Sequence, residues 1–409
     1  MLFRSSFNSL SSTIYIPPSW SKTYFIKLSF INVPNLRFNF EDDYTTYQLH
    51  QFASRVTRKN KNNASLLPLT ISAQYGLVDQ ISFFNKSVAS SDLSNYYLLQ
   101  NGEFAYNKSY SNDYPWGAIK RLDRYDKGCL STLYICFKPN ESLVDTDYLV
   151  HYFESPKWYK QVSDIAGEGA RNHGLLNIAV RDFFLTKHKF PSLEEQGKVA
   201  DLLNKIQERI EAQNKIIEDY LSLKKCIINE LCNNVDEHTE CFVSDISNIG
   251  RGRVISSKEI NKQLNPKYPV YSSQTSNDGI MGYLDQYDFD GEYITWTTDG
   301  ANAGTVYYRN GKFNCTNVCG TLKINEENDA FFVSKLLSCL TYSYVSRNLA
   351  NPKLMNNTMA KIKLKLPPLN KQREFANIIR KIEQKMNYEK EMLRLLKTQK
   401  EYFLKNLFI

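Results

Sequence analysis

An α+β protein built twice over is what this sequence predicts: two similar globular units, each followed by a long amphipathic helix. Three observations carry the prediction. Two long segments of helical apolar periodicity, 193–231 and 369–407, lie a constant 176 residues apart. Each is preceded by short alternating apolar–polar runs punctuated by Gly, Asn and Asp, the pattern of strands and turns. Those runs match between the halves in order, with insertions, as an internal repeat does.

The first helix opens Lys189-Phe190-Pro191-Ser192-Leu193-Glu194-Glu195-Gln196 and the second Lys365-Leu366-Pro367-Pro368-Leu369-Asn370-Lys371-Gln372. Apolar residues then recur at alternating spacings of four and three, at Val199, Leu203, Ile206, Ile210, Ile217, Ile227 and Leu231. The second copy answers with Phe375, Ile379, Ile382, Met386, Leu393, Phe403 and Leu407. Polar interruptions coincide as well, Gln213 with Glu389 and Lys224 with Lys400. This is a coiled-coil seam, and it makes Val199, Leu203, Ile206, Ile210, Ile217, Phe375, Ile379, Ile382, Met386 and Leu393 the helix-pairing residues. Leu202, Ile216, Leu223 and Ile228 widen the first apolar face; Ile378, Met392, Leu395 and Leu404 widen the second. A face wider than the seam fits either docking of another subunit or burial against the chain's own domains.

Upstream, Leu67-Pro68-Leu69-Thr70 answers to Tyr268-Pro269-Val270-Tyr271, and Asn101-Gly102-Glu103-Phe104 to Asp290-Gly291-Glu292-Tyr293. Trp116-Gly117-Ala118-Ile119 corresponds to Ala303-Gly304-Thr305-Val306, and Thr132-Leu133-Tyr134-Ile135 to Gly320-Thr321-Leu322-Lys323. A short helix is expected next, Asp147–Glu154 or Ala330–Leu340, then a loop, 167–176 or 350–355, and a last strand. The offset between halves falls from 201 residues at Pro68/Pro269 to 187 at Gly117/Gly304 before settling at 176. Insertions therefore concentrate in the globular parts while helix length is held. The expected organisation is a leader at 1–32, globular domains at 33–190 and 236–366, and helices at 191–235 and 367–409. The leader is atypical: residues 1–40 hold no Asp or Glu and are rich in Ser and aromatics, so a poorly ordered or accreted segment is expected there.

With 409 residues the chain can bury two cores, and 42% hydrophobic content argues against general disorder. A net charge of +8 is a moderate bias toward polyanions. None of the 8 cysteines forms a Cys-x-x-Cys pair, and Cys315 and Cys319 have no nearby His, so reduced thiols in a cytoplasmic protein are expected. No apolar run approaches a membrane span.

Chemistry-bearing motifs are missing. There is no Gly-x-x-x-x-Gly-Lys-Ser/Thr phosphate loop. Asn265-Pro266-Lys267 and Asn351-Pro352-Lys353 lack the second proline and aromatic of an adenine methyltransferase motif. The 5 histidines show no metal spacing. A chain that binds without catalysing, and without a metal or cofactor of its own, is the expectation.

A basic loop precedes the Pro68 strand, with Arg55, Arg58, Lys59 and Lys61, and another precedes its twin, with Arg251, Arg253, Lys258, Lys262 and Lys267. Lys120, Arg121, Arg124 and Lys127 form a further basic hairpin. Such residues contact phosphates and position a protein on duplex DNA, weakening with salt; the bland alternative is a solvated face. Base readout needs paired donors and acceptors on projecting loops. The candidates are Gln74, Tyr75, Arg171, Asn172 and His173 in the first half and Ser273, Gln274, Asn277, Asn351, Lys353 and Asn356 in the second.

Taken with Val33-Pro34-Asn35-Leu36-Arg37-Phe38 and Gly282-Tyr283-Leu284, the order of these motifs resembles the specificity subunit of type I restriction–modification enzymes. Most telling is Leu366-Pro367-Pro368-Leu369 with Gln372, which looks like the family's Leu-Pro-Pro-Leu-x-x-Gln lead into a long helix. The resemblance covers about residues 33–409; Pro191-Ser192-Leu193 and Asn370-Lys371 depart from the pattern. It implies two target recognition domains, each reading one half of a split, asymmetric DNA sequence. It also implies that the helices pair as an antiparallel coiled coil with pseudo-two-fold symmetry. At 1.5 Å per residue about 38 residues make an arm of roughly 55 Å, enough when overlapped to span half-sites about 34 Å apart. The partners implied are two modification subunits carrying S-adenosylmethionine and adenine methyl transfer, and restriction subunits using ATP and Mg. Against this stand a coiled-coil scaffold with incidental basic loops and a stand-alone, degenerate methyltransferase or nuclease.

Overall fold

The structure is a computed structural model, and it describes residues 36–40, 42–72, 75–85, 90, 92–111, 114–167, 174–233, 238–346 and 351–409, with side chains at 231–233 excepted. The expected leader and the candidates Gln74, Arg171, Asn172 and His173 lie outside these residues. The chain divides into two compact units, one of residues 1–213 with 392–409 and one of residues 214–391.

Unit 1 begins with β1 (Thr45–Gln48), α1 (Leu49–Phe52) and β2 (Ala53–Arg55). A hairpin follows, β3 (Leu69–Ser72) and β4 (Gly76–Asp79), then α2 (Gln80–Phe84). The strands β5 (Tyr97–Gln100), β6 (Phe104–Asn107), β7 (Ala118–Arg121), β8 (Lys127–Leu130) and β9 (Ile135–Pro139) complete the sheets. After them come α3 (Thr146–Glu154), α4 (Tyr159–Ser163), α5 (Val180–Phe184) and β10 (Lys187–Phe190). The 41-residue α6 (Leu193–Asn233) then leaves the unit. Its central sheet has the order β2-β9-β6-β7, with β1-β10, β3-β4 and β5-β8 as separate pairs.

Unit 2 repeats the plan. It runs β11 (Thr239–Phe242), α7 (Val243–Ile246), β12 (Ser247–Arg251), α8 (Ser257–Asn261), β13 (Tyr268–Tyr271) and β14 (Ile280–Leu284). Then come β15 (Glu292–Thr297), β16 (Val306–Asn310), β17 (Asn314–Cys315) and β18 (Cys319–Ile324). It closes with α9 (Ala330–Tyr344), α10 (Asn356–Ala360), β19 (Lys363–Leu366) and the 38-residue α11 (Leu369–Asn406). The sheet order β12-β18-β15-β16 is that of unit 1 strand for strand, and β11-β19 mirrors β1-β10. Unit 2 differs in its smaller sheet, β14-β13-β17. Gly117 and Gly304 occupy matching turns with φ of +78° and +86°. A side chain there would also collide, at 2.1 Å from the Asn107 carbonyl and 2.7 Å from Val345.

The long helices are part of the domains. In unit 1, Val199, Leu203, Ile206 and Ile210 of α6 share one core with Leu396, Phe403, Leu404 and Leu407 of α11. Phe52, Phe104, Tyr106, Phe137, Trp158 and Phe190 of the globular part belong to that same core. In unit 2, Ile228 of α6 joins Ala376 and Ile379 of α11 around Ile294, Trp296, Leu322 and Leu337. The start of α6 thus packs with the end of α11 in one unit, and the end of α6 with the start of α11 in the other, so the helices pair antiparallel. Of the expected pairing residues, Ile217, Ile382 and Met386 are also buried, while Phe375 and Leu393 are half-buried.

The shared lead into each helix has a concrete use. Asp145 caps α3 by accepting from Tyr148 N at 2.8 Å, and Asp329 caps α9 by accepting from Phe332 N at 2.8 Å. Gln196 then accepts from Asp145 N at 2.8 Å and donates to Pro191 O at 2.9 Å. Gln372 does the same, accepting from Asp329 N at 2.9 Å and donating to Pro367 O at 2.9 Å. Both glutamines are almost fully buried. The motif is therefore a clamp that locks each long helix to the short one.

Candidate nucleic-acid interface

In unit 2 the turn from β15 to β16, residues 298–305, gathers most of the predicted site residues. Arg251, at the end of β12, donates from Nη2 to Thr298 Oγ1 at 3.0 Å and from Nε to Asn317 O at 2.6 Å. Asn302 Nδ2 donates to Ser273 O at 3.1 Å, bringing the tip of the β13–β14 hairpin to this turn. Lys353 lies 3.6 Å from Asp299, and Gly300 N donates to Pro352 O at 3.1 Å. Asn356 donates to Gly250 O at 3.1 Å. Arg251, Ser273, Gln274, Lys353 and Asn356 therefore belong to one cluster of loops. Gln274 is partly spent, because its Nε2 donates to Ile280 O across its own hairpin.

Arg253 and Lys258 sit apart from that cluster. Arg253 is held between Glu259 at 2.7 Å and Asp288 at 3.0 Å. Its hydrogen bond keeps the Glu259 carboxyl below the usual range. Lys258 is exposed on α8 and makes no ion pair among the described residues.

Unit 1 engages its basic residues differently. Arg58 pairs with the buried Glu103 at 2.8 Å, and Lys59 donates to Asn95 O at 2.7 Å while lying over the Tyr97 ring. Arg55 reaches the Tyr97 hydroxyl at 3.5 Å. Lys120 pairs with Glu154 at 3.1 Å, and Arg121 with Asp123 at 2.6 Å and Asp147 at 2.7 Å. Lys61 and Arg124 remain exposed, with no ion pair among the described residues. Arg124 lines an open groove of about 770 Å³ together with residues 63–67 and 125–127. Tyr75 is 57% exposed at the β3–β4 turn. Lys120 and Arg121, expected at phosphate, instead fasten β7 to α3.

Seven of the thirteen basic residues expected at phosphate thus have side-chain partners within the chain. Sequence reasoning also missed residues. Thr298, Asp299 and Asn302 organise the cluster but carry no motif. Arg309 carries no motif, and Asp278 was signalled only by the turn-forming run Asn277-Asp278-Gly279. Among the described residues no group of His, Cys, Asp and Glu could hold a metal ion. No helix among them is long and apolar enough to cross a membrane.

Two domains of one framework, unlike in their loops and each built on the paired helices, define a class of protein. Comparison with known proteins gives that class its name. Residues 236–398 match the family model for the type I restriction modification DNA specificity domain. A type I specificity subunit of Mycoplasma pneumoniae is 42% identical over 195 residues, covering 46% of this chain and 80% of that protein. A second from the same species is 41% identical over 199 residues, covering 46% and 78%. The specificity subunit of its type I restriction enzyme MpnII is 47% identical over 139 residues, 34% of this chain and 41% of that one. The crystal structure of a type I restriction–modification S subunit from M. genitalium shares the fold, with a TM-score of 0.60 at 17% identity, covering 92% of this chain and 99% of that one. The chain belongs to the type I specificity subunit family. It is a DNA-sequence-recognition subunit, and its role is not catalytic.

Proposed function

We propose that each unit reads one half of a split, asymmetric duplex sequence and that the paired helices fix the distance between the halves. The observation that carries this is the identical sheet order and glutamine clamp in both units, set against unlike loops. A framework repeated with different loops suits two readings of one kind of ligand. Lys61, Arg124 and Lys258 carry the phosphate contacts, because their charges are not spent on the chain itself. Arg251, Ser273, Lys353 and Asn356 present the second half-site reader; Tyr75, with Gln74, Arg171 and Asn172, presents the first. Two modification subunits dock on the helices, where Ile216, Leu221, Leu223, Ile378 and Met392 are exposed. They supply S-adenosylmethionine and adenine-N6 methyl transfer, and restriction subunits supply ATP- and Mg-dependent cleavage, in the cytoplasm.

Selection from a random duplex library by the full chain tests this. A two-part motif with a fixed gap is expected, and binding that falls with salt. Recovery of no motif at any salt concentration would leave the scaffold reading in its place. Methyl transfer by the purified chain alone would establish an enzyme instead.

A further inference from the structure

Arg309 of β16 is a buried cation held by the tip of the β13–β14 hairpin. Its guanidinium is only 4% exposed and is sandwiched between the Tyr271 ring at 3.6 Å and the Tyr307 ring at 4.4 Å. Nη1 donates to Asp278 Oδ2 at 2.6 Å and Nη2 to Asp278 O at 2.8 Å. Nε has no partner among the described residues. Asp278 itself is 67% exposed. Asn277, Asp278 and Gly279 stand in a row with φ of 49°, 52° and 81°. Two consecutive non-glycine residues in the left-handed region cost energy and persist only where the surroundings hold them. Here the hold is a buried charge that would lose its counter-charge if the tip moved away.

The same tip offers a reader. Asn277 is exposed at its apex, and its side chain makes no hydrogen bond among the described residues. Ser273, at the start of the tip, is tied to the Asn302 turn. An asparagine amide presents one donor and one acceptor, the pair that matches adenine N7 and N6 in the major groove. Resting on the DNA-reading role proposed above, we infer that Asn277 contacts a base edge in one half-site and that Arg309, through Asp278, is the positioning residue that aims it. The planar, two-pronged guanidinium matters here, because a lysine cannot both stack between rings and hold carboxylate and carbonyl together.

The test is library selection with the full-length chain and its variants Asn277→Ala, Asp278→Asn and Arg309→Lys, each checked for thermal unfolding. Asn277→Ala should lose preference at one base pair of one half-site, a discrimination loss of about 10-fold or more. Asp278→Asn and Arg309→Lys should blur neighbouring positions of that same half-site. The other half-site and the salt dependence of non-specific binding should stay as in the parent. Asp278 is largely exposed, so its variant keeps the test alive if Arg309→Lys unfolds. A parent chain that selects no motif overturns the DNA-reading role itself. A parent motif unchanged in Asn277→Ala and Asp278→Asn overturns this inference alone.

Discussion

The two units build the same junction between short helix and long helices but exchange its charges. In unit 1 the acid lies on the short helix: Glu154 of α3 meets Lys400 of α11 at 2.7 Å, and Lys400 also donates to Gln207 of α6 at 2.9 Å. In unit 2 the acid lies on the long helix: Glu383 of α11 meets Lys224 of α6 at 2.6 Å and Lys335 of α9 at 2.7 Å. Lys224 and Lys400 are the matching polar interruptions of the two seams, and Gln207 and Glu383 are also at matching positions. A backbone plan can therefore be duplicated while its charge pattern is not. Unit 2's Lys335, placed in unit 1's junction, would face Lys400 with no acid from the helices. Unit 1's Glu154, placed in unit 2's, would compete with Glu383 for Lys224. The pattern ties each domain to its own end of the helix pair.

The largest expected effect tests an asymmetry that flanks this junction. Arg37 donates to Glu195 at 2.7 and 2.9 Å with both side chains buried, whereas the matching residue of the second helix is the exposed Lys371. Breaking a buried pair from one side costs about 3–5 kcal/mol. Chemical denaturation of Arg37→Ala should show unit 1 destabilised by that order, while Lys371→Ala should change almost nothing. Equal effects would erase the distinction.

Next come the glutamine clamps. Gln196→Ala and Gln372→Ala each strand a buried amide N–H and a carbonyl, for about 2–3 kcal/mol by denaturant titration. Gln372 also donates to Asn328 Oδ1 at 2.9 Å, so its loss should be at least that of Gln196; a loss in one alone would show that the clamp is structural in only one unit.

The charge exchange itself predicts a pH effect. Burial would raise the Glu154 carboxyl, but Lys120 and Lys400 outweigh it and hold it at about 2. A carboxyl depressed in the folded state stabilises above its unfolded value, near 4.5, and that contribution is lost as pH falls toward 2. Glu154→Gln should therefore flatten the acid limb of unit 1 stability. Glu383→Gln should do the same for unit 2, since the Lys224 and Lys335 hydrogen bonds outweigh the opposing burial and lower its carboxyl too. Acid unfolding followed by domain-specific probes checks both, and an unaltered acid limb in either variant would remove its carboxylate from the account.

The smallest effects separate engaged from free cations. Lys61→Ala, Arg124→Ala and Lys258→Ala should each weaken binding to all duplexes and lower the salt slope by about one. Arg253→Ala should leave the slope unchanged, because Glu259 and Asp288 already neutralise it. A lowered slope in that variant would restore Arg253 to the phosphate face.

The long helices were legible because forty residues of one period overwhelm local noise, and the order of strands followed from their turns. Which strands pair was not legible. The β2–β9 and β12–β18 pairings join segments far apart in sequence, and no local pattern encodes them. Among site residues the basic runs were legible as charge but not as partners. Arg253 meets Asp288, 35 residues away, and Arg58 meets Glu103, 45 away. The glutamine of the helix lead was visible as a motif, yet its bond to Asp145 N or Asp329 N depends on how α3 and α9 dock.

The division of the chain has a consequence for synthesis. Unit 2 is one continuous segment, whereas the core of unit 1 requires Leu396, Phe403, Leu407 and Phe408, and Leu36 N donates to Asn406 O at 2.8 Å. On a ribosome adding about 5–20 residues per second, the domain made first must wait for the last helical turns before it can close. For many seconds it stands with an open apolar flank while the later domain is still being made.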